Sequence, residues 1–286
     1  MTMMLCWFAA VGQPGLTISE LLYQPRSGEA EYVELYNSSD TAVNLSDYHI
    51  VRWVGDSLGK HYKLPVHTVG PHDYVVLTKD AASVAANYNV KYMAKVVECQ
   101  LPTYPNSGGS VILSTADSVQ VDRLDYDQSM HSRLLRDKAG VSLERRSYER
   151  PTNDAGNWFS ASSTCGYGTP GYDNSQSTET LVEDVSFEFS SEIISPDGDG
   201  YQDELEITYT IDDGSLLAHV EVYDARGIRV RTLVNNALLG THGTILWDGL
   251  GDGGKSLARG QYIVLTTIYD TTGTRQVLRK VVAVFL

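Results

Sequence analysis

Along most of this chain apolar and polar residues alternate with a period of two, in short runs closed by Gly, Pro, Asn or Asp. That period marks extended backbone, whose successive side chains point to opposite faces. Residues 17–23 read as a strand ending at Pro25. Residues 31–37 put Val33 and Leu35 on one face and Tyr32, Glu34 and Tyr36 on the other, and 37–40 close the run as a turn. Further strands are predicted around 48–54, 74–77, 110–114 and 120–126. One short, alanine-rich helix is predicted at 80–88. Alternation returns at 205–211, 218–224, 244–249 and 260–265, and a last strand covers 276–286. Many short strands separated by turn signals predict an all-β chain of antiparallel sandwiches.

Residues 175–184 are polar and acidic without periodicity and read as a linker. The 286 residues thus divide into an apolar leader (1–15), a first β domain (16–174), the linker, and a second β domain (185–286). Within the leader, residues 3–11 have the length of a signal-peptide core and are followed by small residues, but no basic stretch precedes them. The leader reads as a truncated signal peptide and the protein as exported. Residues 3–5 do not make a lipoprotein box for Cys6. No other apolar run approaches the roughly 20 residues of a membrane helix.

Charge narrows the partners. The net charge is −14, with 14 basic and 19 acidic residues up to Thr178 and 8 basic and 17 acidic after it. No basic stripe is present to release phosphate counterions, which excludes a nucleic-acid binder and disfavours an anionic membrane surface. The 18 Tyr against 5 Phe suit half-buried sheet positions with hydroxyls reaching water. Cys99 and Cys165 leave two readings open, a disulfide in an oxidising compartment or two buried thiols.

The densest candidate chemistry is the run 195–204, SPDGDGYQDE. It sits in a stretch, 151–225, without a single Lys or Arg. Carboxylates at alternating positions with glycines between them suit oxygen coordination of a hard cation, so Asp197, Asp199, Asp203 and Glu204 are the candidate ligands of a structural calcium ion. The register of a helix-loop-helix calcium loop fails, because position six from Asp197 is Gln202 and position twelve is Thr208. A solvated Asp/Gly turn explains the same residues. Asp248 or Asp252 could add oxygens to that site. His61, His67 and His72 match no metal-ligand spacing. Asp122, Asp125 and Asp127 read either as a second cation site or as half-exposed strand charges. Trp53, Trp158 and Trp247 read as core residues before carbohydrate platforms. No nucleophile elbow, phosphate loop, dinucleotide fingerprint or zinc-protease motif occurs, so no enzyme is predicted.

Two family resemblances add to this reading. Ile18-Ser19-Glu20 with Tyr23-Gln24-Pro25, then 31–37 (EYVELYN), 43–48 (VNLSDY), 109–113, 121–126, 140–145, Asn157-Trp158 and Gly168-Thr169-Pro170-Gly171 together resemble a bacterial lamin-tail domain over about 16–174. That resemblance implies an immunoglobulin-like sandwich, an accessory module of exported multidomain proteins that is sometimes appended to nucleases. Residues 195–204, 220–227 with Arg231-Thr232-Leu233, Trp247-Asp248-Gly249, Gly254-Lys255 and Gly260-Gln261-Tyr262 resemble the immunoglobulin-like domain of the flagellar hook-cap protein and the C-terminal domains of type IX secretion cargo. It implies a second sandwich, either a sorting module or a plain structural one. The expected function is protein–protein assembly or adhesion at the bacterial cell envelope: outer membrane, cell surface or periplasm. The alternatives are a polysaccharide-binding or adhesin module, or an accessory part of a secreted nuclease.

Overall fold

The computed structural model describes residues 15–154, 156–178, 185–212, 216–270 and 275–285. The first group of strands is β1 (Leu16–Leu22), β2 (Tyr32–Asn37), β3 (Tyr48–Val51), β4 (Tyr62–Lys63), β5 (Tyr74–Thr78), β6 (Val96–Glu98), β7 (Gly108–Thr115), β8 (Gln120–Asp127), β9 (Leu143–Arg145) and β10 (Trp158–Ser160). They make a six-stranded sheet in the order β6-β5-β2-β1-β9-β10 and a four-stranded sheet in the order β8-β7-β3-β4. Ile18, Val33, Leu35, Leu77 and Leu143 of the first sheet meet Ile50, Val111, Leu113 and Leu124 of the second in one buried core. Full burial of each such side chain stabilises by about 1.5–3 kcal/mol.

The expected helix is present as α1 (Ala81–Asn87), and Asp80 caps it by accepting the Ser83 N–H. Val84 carries the helix down onto Leu22, Tyr32 and Val76, on the outer face of the six-stranded sheet. On that outer face of β2, opposite Val33 and Leu35, Tyr32 and Glu34 are fully buried, because α1 and the segment after β10 cover them. In β1 a bulge between Ile18 and Glu20 breaks the alternation.

The second group is β11 (Ser186–Phe189), β12 (Ile193–Ile194), β13 (Leu205–Thr210), β14 (Leu217–Asp224), β15 (Arg229–Leu238), β16 (His242–Trp247), β17 (Gly260–Tyr269) and β18 (Arg275–Val284). A three-stranded sheet, β11-β13-β16, faces a five-stranded one, β12-β18-β17-β14-β15. Leu205, Ile207, Ile245 and Trp247 pack against Val220, Val222, Val264 and Val282. The chain is thus all-β, in two sandwiches. Among the described residues, neighbouring strands run antiparallel except for two short parallel pairs, β6 with β5 and β12 with β18.

The expected linker requires a correction at its start. Ser175 and Gln176 are buried, and they join the sandwiches instead of tethering them. The Ser175 carbonyl accepts the Thr241 N–H at 2.8 Å and the Thr241 hydroxyl at 3.2 Å. Gln176 Nε2 donates to Ser160 O at 2.7 Å and to Leu239 O at 3.5 Å. Ser162 and Ser163 donate to Leu238 O at 3.1 and 2.7 Å, and Thr164 Oγ1 lies 2.6 Å from the Tyr209 hydroxyl. Gly240 is required here, because a Cβ would run into the Ser175 carbonyl. Polar composition signalled a tether; these polar atoms serve a buried hydrogen-bond network. The rest of the linker reading, 179–184, and the leader reading over 1–14 fall outside the described residues. No helix among the described residues is long and apolar enough to cross a membrane.

Candidate functional site

The acidic turn lies between β12 and β13. Oxygens of Asp197, Asp199 and Asp203 lie within 4.8 Å of one another, with Asp197 and Asp199 exposed. Glu204, the fourth expected ligand, is not in that group. The turn is shaped by its own amides: Asp203 accepts Gly198 N at 2.7 Å and Gly200 N at 2.8 Å, Asp197 accepts Asp199 N at 3.1 Å, and Asp199 accepts Tyr201 N at 2.7 Å. Gly198 and Gly200 both take positive φ, 81° and 87°, which frees these amides to point inward. The Trp247-Asp248-Gly249 loop packs beside it, and a Cβ on Gly249 would sit 2.8 Å from Pro196. Asp248 and Asp252 are nevertheless used elsewhere. Asp248 accepts Leu250 N and lies 3.8 Å from Arg231, and Asp252 accepts Thr232 N.

The other expected candidates do not converge. His72 pairs with Asp40 at 2.8 Å, while His61 lies edge-on to His49. Asp122 turns inward to accept Ile18 N and the Thr17 and Thr152 hydroxyls beside Arg145. Asp125 instead pairs with Arg123, and Asp127 accepts Ser129 N. Trp158 and Trp247 are buried, their indole N–H groups donating to Thr152 O and Leu250 O. Cys99 and Cys165 are free thiols, which corrects the disulfide alternative. They sit on separate features, Cys99 against the first core and Cys165 at the junction with its S–H on Ser162 O. Burial pushes the Cys99 thiol up to about 11 and the Cys165 thiol higher still. Burial also holds His131 down to about 4, with Nδ1 2.9 Å from Ser160 Oγ.

The most unusual group was not expected from the sequence. Glu34, Glu20 and Glu144 are direct cross-strand partners on β2, β1 and β9, all fully buried. Like charges placed opposite one another in a sheet destabilise it. Glu20 accepts the Tyr32 hydroxyl at 2.8 Å, Thr169 N at 3.0 Å and the Ser142 hydroxyl. Glu144 accepts the Thr169 hydroxyl at 2.8 Å, the Ser175 hydroxyl at 2.7 Å and Gln176 N at 2.9 Å. Glu34 Oε2 accepts Gly171 N at 2.6 Å, and its Oε1 is buried without a hydrogen-bond partner, beside the Ser19 hydroxyl that meets Tyr148 and Asn174. Burial raises all three carboxyls above their ordinary range, Glu144 to about 8, and Glu20 raises its two neighbours further. The available signals were Leu21 and Leu22 together, which break alternation beside Glu20, and the donor-rich run 169–176.

Residues 10–128 match the family model of the Lamin Tail Domain. No curated protein matches the sequence. Among solved structures, the chain is similar to FlgD from P. aeruginosa, at 17% identity over 37% of this chain and 78% of that one, with a TM-score of 0.26. It is similar to latent PorU from Porphyromonas gingivalis at 10% identity over 94% of this chain and 20% of that one, with a TM-score of 0.29. It is also similar to PorZ, a surface component of the type IX secretion system of the same organism, at 13% identity over 97% and 31%, with a TM-score of 0.28. The scores are low, and the fold described above stands on its own strand pairing.

Proposed function

We propose that this protein is a non-catalytic, exported pair of sandwiches that mediates protein–protein assembly or adhesion at the bacterial cell envelope, on the outer membrane, the cell surface or in the periplasm. The observation that carries this reading is the open edge of β16. Among the described residues it pairs with β13 on one side only, and it presents Leu246, 54% exposed, on its outer face. An unpaired edge offers a row of backbone donors and acceptors to a strand of a partner protein. The lamin-tail match over 10–128 adds a second, immunoglobulin-like scaffold. As a finer part of the reading, the second sandwich is the secretion or sorting module of a type IX pathway, the role its resemblance implies.

The use already made of the reactive groups supports a non-catalytic role. The buried glutamates accept hydrogen bonds within the fold, and burial keeps the thiols protonated. Polysaccharide capture has less support. Two tryptophans are buried, and the ring of Tyr36 stacks on Tyr148 at 4.3 Å and lies 4.7 Å from Tyr74, so these faces serve one another. Asp197, Asp199 and Asp203 would hold the structural calcium ion, which would stiffen the turn between β12 and β13.

A charged edge resists strand addition. Leu246→Lys in the full chain is therefore expected to lower recovery of envelope proteins with the purified protein by about tenfold, with the thermal midpoint unchanged. Equal recovery by the variant and the parent would overturn the reading.

A further inference from the structure

Three glutamates in one row, on three adjacent strands, have no ion pair with any Lys or Arg among the described residues. Segment 167–176 lies over them. Apart from Tyr32 and Ser142 of the sandwich itself, that segment supplies the donors: Thr169 N and Oγ1, Gly171 N, Ser175 Oγ and Gln176 N. Asn174 fixes the same segment by donating to Ser19 O at 3.0 Å and Arg145 O at 2.9 Å. Its far end is the bracket for the second sandwich, through Ser175 O to Thr241 and Gln176 Nε2 to Leu239 O. One short stretch of chain therefore covers the carboxylates and positions the other domain.

We infer that the Glu34–Glu20–Glu144 row is a proton-controlled latch: closed while the row holds its protons, it docks the second sandwich, and ionisation of the row releases segment 167–176 and frees that sandwich. This goes beyond the binding role, which needs no change of state. The physical cause is the dry setting. A second and third negative charge placed opposite the first, without a cation, is relieved by admitting water, and segment 167–176, which supplies most of the donors to the row, is the cover that lifts.

The donated hydrogen bonds favour the ionised carboxyls, but burial outweighs them and no cation among the described residues offsets the charge. Tyr32 of β2, Tyr88 at the end of α1, Tyr74 of β5 and Tyr148 after β9 are phenols that burial keeps neutral. From the covering side come Tyr172 and Cys165, also kept neutral, and Asp173, which accepts the Tyr74 hydroxyl. The cations near the segment are engaged: Lys95 with Asp73 at 2.6 Å and Gly171 O at 3.0 Å, Lys91 over the Tyr172 ring at 4.0 Å, and Arg145 with Asp122. His242, across the junction, is held toward its neutral form by burial. Burial and Glu20 together place Glu144 near 8, so the latch opens on the alkaline side of neutrality.

Hydrogen exchange by mass spectrometry on the full chain tests this, with rates corrected for the intrinsic effect of pH. Between pH 6 and pH 9.5, the amides of 168–176 and 239–241 should lose protection by about tenfold or more while those of β7 keep theirs. Glu144→Gln, which keeps one neutral carbonyl acceptor in place, should hold the segment protected at pH 9.5. Unchanged protection in the parent, loss in β7 together with the segment, or equal loss in parent and variant would each overturn the latch. The titration of the parent protein decides the matter even if the variant does not fold.

Discussion

At the scale of single residues, the buried glutamates give the protein an unusual pH dependence. A carboxyl raised in the folded state binds its proton more tightly there than in the unfolded chain. Its stabilising contribution is complete below the unfolded value of 4.5 and is lost as pH rises through the folded value, about 8 for Glu144. The thermal midpoint should therefore fall between pH 5 and pH 9, and Glu144→Gln should flatten that slope. A midpoint that rises over this range in the parent would show Glu144 to be ionised in the fold. These residues were illegible in the sequence for a physical reason. Glu34 sits at a clean alternating position on β2, where a half-exposed sheet would turn it to water. It is buried by chain more than 130 residues away, and a local pattern carries no record of that cover. The acidic turn was legible, because its glycines and carboxylates act on their immediate neighbours.

At the scale of elements, the strands follow the pattern where one face meets a core and the other meets water. In β13, Leu205, Ile207 and Tyr209 are buried while Glu206 and Thr208 are exposed, as alternation requires. The helix was equally plain from its alanines, and the structure sets its ends one residue inside the predicted 80–88, with Asp80 as the cap. Asp80→Ala should lower stability by about 1 kcal/mol, read as a shift of the urea midpoint with an unchanged slope. No shift would mean that Val84 packing alone holds α1. The bulge in β1 and the packed start of the expected linker were not legible. Both depend on partners in other elements: β2 opposite the bulge, and the turn between β15 and β16 against Ser175.

At the scale of the whole molecule, two sandwiches share a junction of hydroxyls, amides and backbone carbonyls, with the acidic turn on the second and an open edge at β16. If the turn holds calcium, millimolar calcium should raise the thermal midpoint by several degrees over EDTA, since a ligand of the folded state stabilises by mass action. Asp199→Ala should abolish that rise. A full rise in the variant would place the ion elsewhere, and no rise in the parent would leave a solvated turn. Binding at the β16 edge is the central claim, and site-specific photo-crosslinking in living cells that express the protein tests it most directly. A photoreactive residue at Leu246 should give a discrete protein adduct, and the same residue at Val66, exposed in the first sandwich, should not. No adduct at 246, or the same adducts at both positions, would contradict the claim.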